Sequence, residues 1–299
     1  MKIPKHFKSG FIIIIGRPNA GKSTLLNAMV GEKISIISPI PQTTRHQIKG
    51  ILTTKEYQMV FVDTPGIHTF KDELSSHLNG VAVNLLEGCD LIIYVADVTR
   101  KIGAEEKKAA DVIKGSETHV IVAFNKMDKK QNYLKQHIEF WEENKKQNKC
   151  KIDYLPISAK EDKNIEDLIC LIKEKLPEGM PFYDEETNTD FPLKFRIADQ
   201  IREQLFLNLK KDLPHSIAVE IDEFEDGDKL CRITVAIYVN RESQKKIVVG
   251  EKGEVLKRVG ITARENIEKI LNKKVFLKTW VKVLPDWQKK AGILKQLGY

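Results

Sequence analysis

Residues 16–23, Gly-Arg-Pro-Asn-Ala-Gly-Lys-Ser, constrain this chain more than any other stretch. They satisfy G-x-x-x-x-G-K-[ST] between an apolar run, Phe11 to Ile15, and a helical pattern, Lys22 to Val30. A buried strand that turns into a helix at this spacing aims several backbone N–H groups, and the positive end of the helix dipole, at one point. That point suits a polyphosphate. Gly16 and Gly21 permit close approach and positive φ, Lys22 supplies a mobile cation, and Ser23 offers a hydroxyl to Mg²⁺. Arg17, Pro18, Asn19, Ala20 and Thr24 complete the set of expected nucleotide contacts.

From residue 11 to about 176, short apolar runs alternate with longer amphipathic stretches. Strands are predicted at Phe11–Ile15, Ile48–Leu52, Gln58–Val62, Leu91–Ala96, His119–Phe124 and Ile152–Pro156. Helices are predicted at Lys22–Val30, Gly80–Leu86, Glu105–Ile113, Leu134–Glu143 and Ile165–Lys175. This rhythm implies an α/β domain with a mostly parallel sheet, helices on both faces and ligand loops at the strand C-terminal ends. Residues 177–192 replace the periodicity with Pro177, Pro181, Pro192 and the acidic cluster Asp184, Glu185, Glu186 and Asp190, and read as a linker between domains 1–176 and 193–299.

The second domain has a different order. A helix carrying Phe195, Ala198, Ile201, Leu205 and Leu209 precedes a hairpin through Ile217–Ile221 and Ile233–Val239. A short helix Ser243–Val249, the loop Gly250-Glu251-Lys252-Gly253, a helix Glu254–Leu271 with Val255, Val259, Ala263, Ile267 and Ile270 inward, and a strand Val275–Val283 then follow. Charge is unevenly placed. The whole chain carries a formal +7, yet residues 241–299 hold 15 Lys and Arg against 6 Asp and Glu, which points to nucleic acid or anionic lipid as a partner.

Two further motifs fall at strand ends of the first domain. Asp63-Thr64-Pro65-Gly66 follows Met59–Val62, where a carboxylate can hold the Mg²⁺ shell and the Gly66 N–H can meet a terminal phosphate. Asn125-Lys126-Met127-Asp128 follows His119–Phe124. Asp128 can accept two hydrogen bonds from guanine that adenine cannot return, and a buried carboxylate left unpaired rejects the wrong base. Ser158-Ala159-Lys160, after the next strand, adds a backbone N–H for the guanine carbonyl. In the second domain a G-x-x-G loop between two helices, inside this order of elements and beside a basic surplus, points to RNA. Gly250, Glu251, Lys252 and Gly253, with Lys245, Lys246, Lys257 and Arg258, are the expected contacts. Phe276, Trp280 and Trp287 either stack bases or serve as core and lid.

The order GRPNAGKS, QTTRH (Gln42–His46), DTPG, NKMD and SAK resembles the Ras-like GTP-binding proteins, and TTR with DTPG is similar to the translation-factor-related class. A GTP-binding domain followed directly by a type II KH domain resembles the bacterial Era family over nearly the whole chain, including QKKIVVGEKGEVLKRVGITAR at 244–264. The resemblance implies a P-loop GTPase that binds GTP or GDP with Mg²⁺. It also implies Thr44 as the switch threonine that reaches Mg²⁺ and the γ-phosphate, and binding of small-subunit (16S) rRNA near its 3′ end in assembly of the 30S ribosomal subunit. Ile67 stands where Ras-like proteins place a water-orienting glutamine, so intrinsic hydrolysis is expected to be slow, with Lys22, Mg²⁺ and backbone N–H groups handling charge. Asn19 matches the asparagine that in potassium-stimulated relatives helps hold K⁺, and serves equally as a turn residue.

A membrane-associated signalling GTPase whose basic end binds anionic lipid is the competing reading. The apolar runs are only a few residues long, against about 18 for a membrane span, so a cytoplasmic monomer with at most a peripheral membrane contact is expected. Four dispersed cysteines form no C-x-x-C pair and suggest neither zinc nor a disulfide framework.

Overall fold

The computed structural model describes residues 4–37, 48–63, 88–114, 116–147, 149–209 and 213–296. Chain contacts divide it into two units, residues 1–35 with 44–190, and residues 36–43 with 191–299.

The first unit is built on a six-stranded sheet. Its strands are β1 (Lys8–Ile15), β2 (Ile48–Thr53), β3 (Tyr57–Asp63), β4 (Leu91–Asp97), β5 (His119–Asn125) and β6 (Ile152–Pro156), in the order β2-β3-β1-β4-β5-β6. Every pairing is parallel except β2 with β3, a hairpin closed by Thr54, whose Oγ1 accepts from the N–H groups of Glu56 and Tyr57. Burial on both faces explains why β1 and β4 read as continuous aliphatic runs instead of alternating ones: Ile12 to Ile15 and all of Leu91–Asp97 are inaccessible. Around the sheet run α1 (Lys22–Val30), α2 (Ala104–Lys114), α3 (Leu134–Gln147) and α4 (Ile165–Lys175). Their bounds lie within a few residues of those predicted, and the predicted helix at 80–86 lies outside the described residues.

Consecutive strands leave β1 in opposite directions, β3 to one side and β4 to the other. That reversal opens a crevice beyond the C-terminal end of β1, the position where parallel α/β sheets hold ligands. The loop 16–21, Asp63, Asp97, Asn125 and Ser158 all stand at or just beyond the C-terminal ends of their strands.

The stretch 177–190, expected as a linker, is tied along the first unit. Ser9 N–H donates to Pro177 O (3.2 Å) and Gly179 N–H to Phe7 O (2.9 Å). The buried amide of Gln58 accepts from the N–H groups of Phe182 and Tyr183 and donates to Tyr183 O. Farther on, Ile51 N–H donates to Asn188 O (2.8 Å), and Lys49 pairs with Asp190 at 2.7 Å. Proline and acid content thus mark a strap that adds to its own bonds, Thr187 N–H to Asp184 O and Tyr183 hydroxyl to Asp190, a series of hydrogen bonds with the sheet.

In the second unit α5 (Leu193–Asn208) precedes β7 (Ala218–Asp226), β8 (Leu230–Val239), α6 (Glu242–Val249), a 3-10 turn at Glu251–Gly253, α7 (Glu254–Leu271) and β9 (Lys274–Val283); α8 (Ala291–Gln296) follows. The sheet order is β7-β8-β9, antiparallel then parallel, with a bulge at Ile221/Glu223. Ile197, Ile201 and Leu205 of α5 and Val259, Ala263 and Ile267 of α7 pack on Ile233, Val235 and Ile237 of β8. The trend agrees with the predicted inward face at Val259, Ala263 and Ile267, while Val255 and Ile270 are only partly buried. Trp287 is fully buried against Ala218 and donates its indole N–H to Ser216 O at 2.9 Å. Its ring is core and does not stack bases.

In the first unit Trp141 of α3 is inaccessible, with its ring 4.6 Å from that of Tyr94 and 5.6 Å from that of Phe140. Replacing Trp141 with Ala leaves a cavity over β4 and is expected to cost about 3–5 kcal/mol. Denaturant unfolding followed by far-UV circular dichroism measures it; a loss below about 1 kcal/mol would place the ring outside the core.

Candidate functional site

The phosphate loop has little freedom to vary. Gly16 adopts φ 153°, where a Cβ would lie 2.6 Å from Val95 O, and Gly21 adopts φ 102°, where a Cβ would lie 2.3 Å from Asn125 Nδ2. Asn19 is left-handed at φ 60°, which asparagine tolerates better than most residues. α1 starts directly after Gly21 with no capping side chain, so the positive end of the helix faces the loop where an anion would sit. The Lys22 amine lies over the loop and donates to Gly16 O and Arg17 O, both at 3.1 Å. Burial lowers its pKa to about 8 against the favourable fields of Asp63 and Glu105.

Ser23 Oγ donates to Asp63 Oδ2 at 2.7 Å, and Ser35 Oγ reaches the same oxygen at 3.2 Å. Ser35 is positioned by Asn27, whose Oδ1 accepts from the N–H groups of Ile34 and Ser35, both at 2.9 Å. Asp63 is inaccessible, so hydroxyl and carboxylate form a pair of hard oxygen donors beside the phosphate loop. Thr44, Thr64, Pro65, Gly66 and Ile67 lie outside the described residues, as does Arg45.

At the other end of the crevice Asn125 bridges two loops. Its Nδ2 donates to Ala20 O (2.8 Å) and its Oδ1 accepts from Ala159 N–H (3.0 Å), so one amide joins the phosphate loop to the Ser158-Ala159-Lys160 turn. Lys126 adopts φ 69° and donates to Asn19 O and Asp97 Oδ2, both at 2.7 Å. Asp128 Oδ1 accepts from Ser158 Oγ at 2.8 Å, which orients the carboxylate expected to read the base. Met127 packs on the core and Lys160 is exposed.

Two partners in this frame were not visible from motifs. Asp97, at the end of β4, is buried; although burial alone would raise it, the Lys126 ammonium and Thr99 hold its carboxyl below the usual range. A strand-end aspartate ahead of a predicted loop was its only signal. The second is the acidic pair Glu105 and Glu106 of α2, which holds Arg17. Its guanidinium is committed to Glu106 (2.9 Å) and Glu105 (3.2 Å) of α2, while Glu106 also accepts from Gly103 N–H at 2.8 Å. The side chain of Arg17 therefore anchors the loop to α2, leaving its backbone to face a nucleotide.

In the second unit α6 ends at Gly250 (φ 77°), Lys252 is left-handed at φ 49°, and Gly253 (φ 81°) opens α7. A Cβ at Gly250 would lie 2.5 Å from a Val255 methyl, so glycine lets the two helices close on each other. Beside the loop is a groove of about 320 Å³ lined by Leu256, Lys257, Gly260, Ile261, Arg264, Leu277 and Thr279. Lys246, Glu251, Lys252, Lys257 and Arg258 are exposed and Lys245 is partly so; Arg258 Nε donates to Asn208 Oδ1 at 2.7 Å, which turns that guanidinium toward α5.

The buried Lys22 ammonium has a consequence for pH. Its pKa is near 10.5 unfolded and about 8 folded. Between those values the unfolded chain holds the extra proton, so folding of the nucleotide-free protein is penalised below pH 8 and gains as pH rises through this window, by at most about 1.4 kcal/mol per unit. In Lys22→Met that gain relative to wild type is expected to vanish, along with GTP binding. Chemical denaturation at several pH values from 7 to about 10.5 compares the two; parallel curves would show that the ammonium is not desolvated.

Residues 11–126 match the family model described as a 50S ribosome-binding GTPase, and residues 212–288 match that of a KH domain. GTPase Era of Halothermothrix orenii is 40% identical over 294 residues, covering 98% of this chain and 99% of the relative. GTPase Era of Staphylococcus haemolyticus is 40% identical over 294 residues, covering 98% and 97%. A crystal structure of Era in complex with MgGDPNP and nucleotides 1506–1542 of 16S ribosomal RNA is similar with a TM-score of 0.92 and 38% identity, covering 98% of this chain and 99% of that one. Aquifex aeolicus Era bound to GDP and AlF4⁻, as a point variant, gives 0.91 and 37% over the same shares. With this level of identity held along both units, the chain belongs to the GTPase Era family.

Proposed function

We propose that the chain is a GTP-hydrolysing switch that binds 16S rRNA near its 3′ end and acts in assembly of the small ribosomal subunit. The observation that carries the reading is the Asn125 amide, which locks a phosphate loop and a guanine-reading turn into one frame. The G-x-x-G groove supplies the RNA side. Lys22 meets the β- and γ-phosphates, the α1 N–H groups cradle the remaining phosphate oxygens, and Asp128 pairs with the guanine N–H groups. Ser23 and Asp63 fit a Mg²⁺ ion and would hold it, where it would screen the phosphate charge of bound GTP. Thr44 and Gly66 would complete contacts to the γ-phosphate, and with Ile67 in place of a water-orienting glutamine the intrinsic rate is slow. Asn19 would hold K⁺ where that ion stimulates hydrolysis.

The protein acts in the cytoplasm on this reading, as a monomer; among the described residues no helix is long and apolar enough to cross a membrane. The relative crystallised with MgGDPNP and 16S nucleotides 1506–1542 supports both the nucleotide and the RNA class.

Ultraviolet crosslinking of the full chain to cellular RNA, in GTP and in GDP, tests the pairing of switch and partner. Recovery of the 3′ end of 16S rRNA is expected, with a higher yield in GTP; no enrichment of that segment in either state would overturn the RNA assignment. Asp128→Ala removes the carboxylate that accepts from guanine and is expected to weaken GTP binding by about two orders of magnitude or more. Isothermal titration checks this, and unchanged affinity would move the base site elsewhere.

A further inference from the structure

The outer face of the second sheet carries a pattern that the G-x-x-G groove does not use. Successive outward residues of β9 are Lys274, Phe276, Lys278, Trp280 and Lys282, a strict alternation of lysine and aromatic, and all five are exposed. Phe276 is 55% and Trp280 45% accessible, far more than large aromatic side chains in a core. The parallel register sets Arg232 of β8, also exposed, beside Phe276, and sets Ala236 beside Trp280. Lys278 Nζ stands 4.3 Å from the centre of the Trp280 ring.

Other parts of this face are closed or of opposite charge. Trp287, Leu284, Ile293 and Leu294 cover its Ala218 and Tyr238 end. On β7 the outward residues Glu220 and Glu223 accept hydrogen bonds from Tyr238 and Thr234 and make that edge acidic. Lys282 pairs with Asp222 at 2.8 Å and Lys274 lies 3.8 Å from Glu268, so the cationic character is strongest at the middle of β9. An anionic chain would follow β9 lengthwise and avoid β7. Outward side chains on a strand recur about every 6.6 Å, so ring and ammonium alternate at that spacing. Rings that stack on bases between cations that meet phosphates are the chemistry of single-strand binding.

We propose that Lys274, Phe276, Lys278, Trp280 and Lys282, with Arg232, form a second surface for single-stranded RNA. The assignment rests on the RNA-binding reading above. It extends that reading because β9 is shared: Leu277 and Thr279 line the G-x-x-G groove while their neighbours face the opposite side of the sheet. A strand leaving the groove passes round this edge onto the outer face. A KH groove takes about four nucleotides, so only a longer RNA reaches both surfaces.

The test uses the full chain with two unstructured fluorescein-labelled oligoadenylates, of about 4 and about 16 nucleotides. Phe276→Ala/Trp280→Ala is expected to weaken the longer RNA at least about fivefold and leave the shorter unchanged. Gly250→Asp/Gly253→Asp weakens both. Trp280 supplies an independent readout, since Trp141 and Trp287 are inaccessible: the longer RNA is expected to quench tryptophan emission, and Trp280→Phe to lose the quenching yet retain most of the affinity. Lys274→Gln/Lys278→Gln, which changes only exposed ends, is expected to lower the slope of log affinity against log salt by about 0.7 per lysine. Groove-dependent binding of both RNAs, with no quenching and no effect of the β9 variants, overturns this inference alone; a protein-binding role for the patch would give the same result. No binding of either RNA by wild type overturns it together with the RNA reading.

Discussion

The side-chain amide of Asn125 is the contact on which the first unit's site depends. One end holds the phosphate loop through Ala20 O and the other holds the base turn through Ala159 N–H. Both groups are buried, so either hydrogen bond, if lost, leaves a polar group unpaired at a cost of about 1–3 kcal/mol. The same amide explains Gly21, because any side chain there would collide with Asn125 Nδ2. Lys126 adds a parallel tie from Asn19 O to Asp97, and Arg17 ties the loop to α2. Within the loop Ala20 N–H donates to Arg17 O at 3.3 Å and the Lys22 amine bonds two of its carbonyls, and these neighbours hold it from outside as well.

This arrangement accounts for the electrostatics as well. Lys22 is buried among loop carbonyls with Asp63 and Glu105 near enough to favour its charge, yet desolvation dominates and its pKa falls. Bound phosphate would supply the missing negative charge. The lysine is thus most at ease as a cation when the nucleotide is present, and part of the binding energy comes from relieving its burial.

Much of this frame was legible in the sequence, for identifiable reasons. Strands buried on both faces write themselves as aliphatic runs such as Ile12–Ile15, and the motif residues sit at strand ends because parallel sheets bring those ends together. Helices α1, α4 and α7 fall where the apolar period places them, with Gly31 ending α1 in a left-handed conformation. Less legible were contacts between residues far apart in the chain. Nothing in Glu106 announces a partner at Arg17, and nothing in Gln58 announces Phe182 and Tyr183, since a polar residue in a strand reads as solvent-facing. Trp287 and Trp280 illustrate the same limit: both are tryptophans near the last strand, and only the packing of Ala218, Ile293 and Leu294 separates the buried ring from the exposed one.

The strap at 177–190 has one more implication, for how the first unit behaves in isolation. β2 is the terminal strand of its sheet, and a terminal strand with free N–H and C=O groups invites other chains to pair with it. Here Ile51 N–H is taken by Asn188 O and Lys49 O by the Thr189 hydroxyl, so the strap occupies hydrogen-bonding positions on that margin. A fragment ending with α4 would bare them and leave the Gln58 side-chain oxygen without the N–H groups of Phe182 and Tyr183, its Nε2 keeping Thr53 Oγ1. The proline-rich, acidic passage therefore covers part of the edge that β2 would otherwise present, and a first-unit fragment that extends to Asp190 keeps that cover.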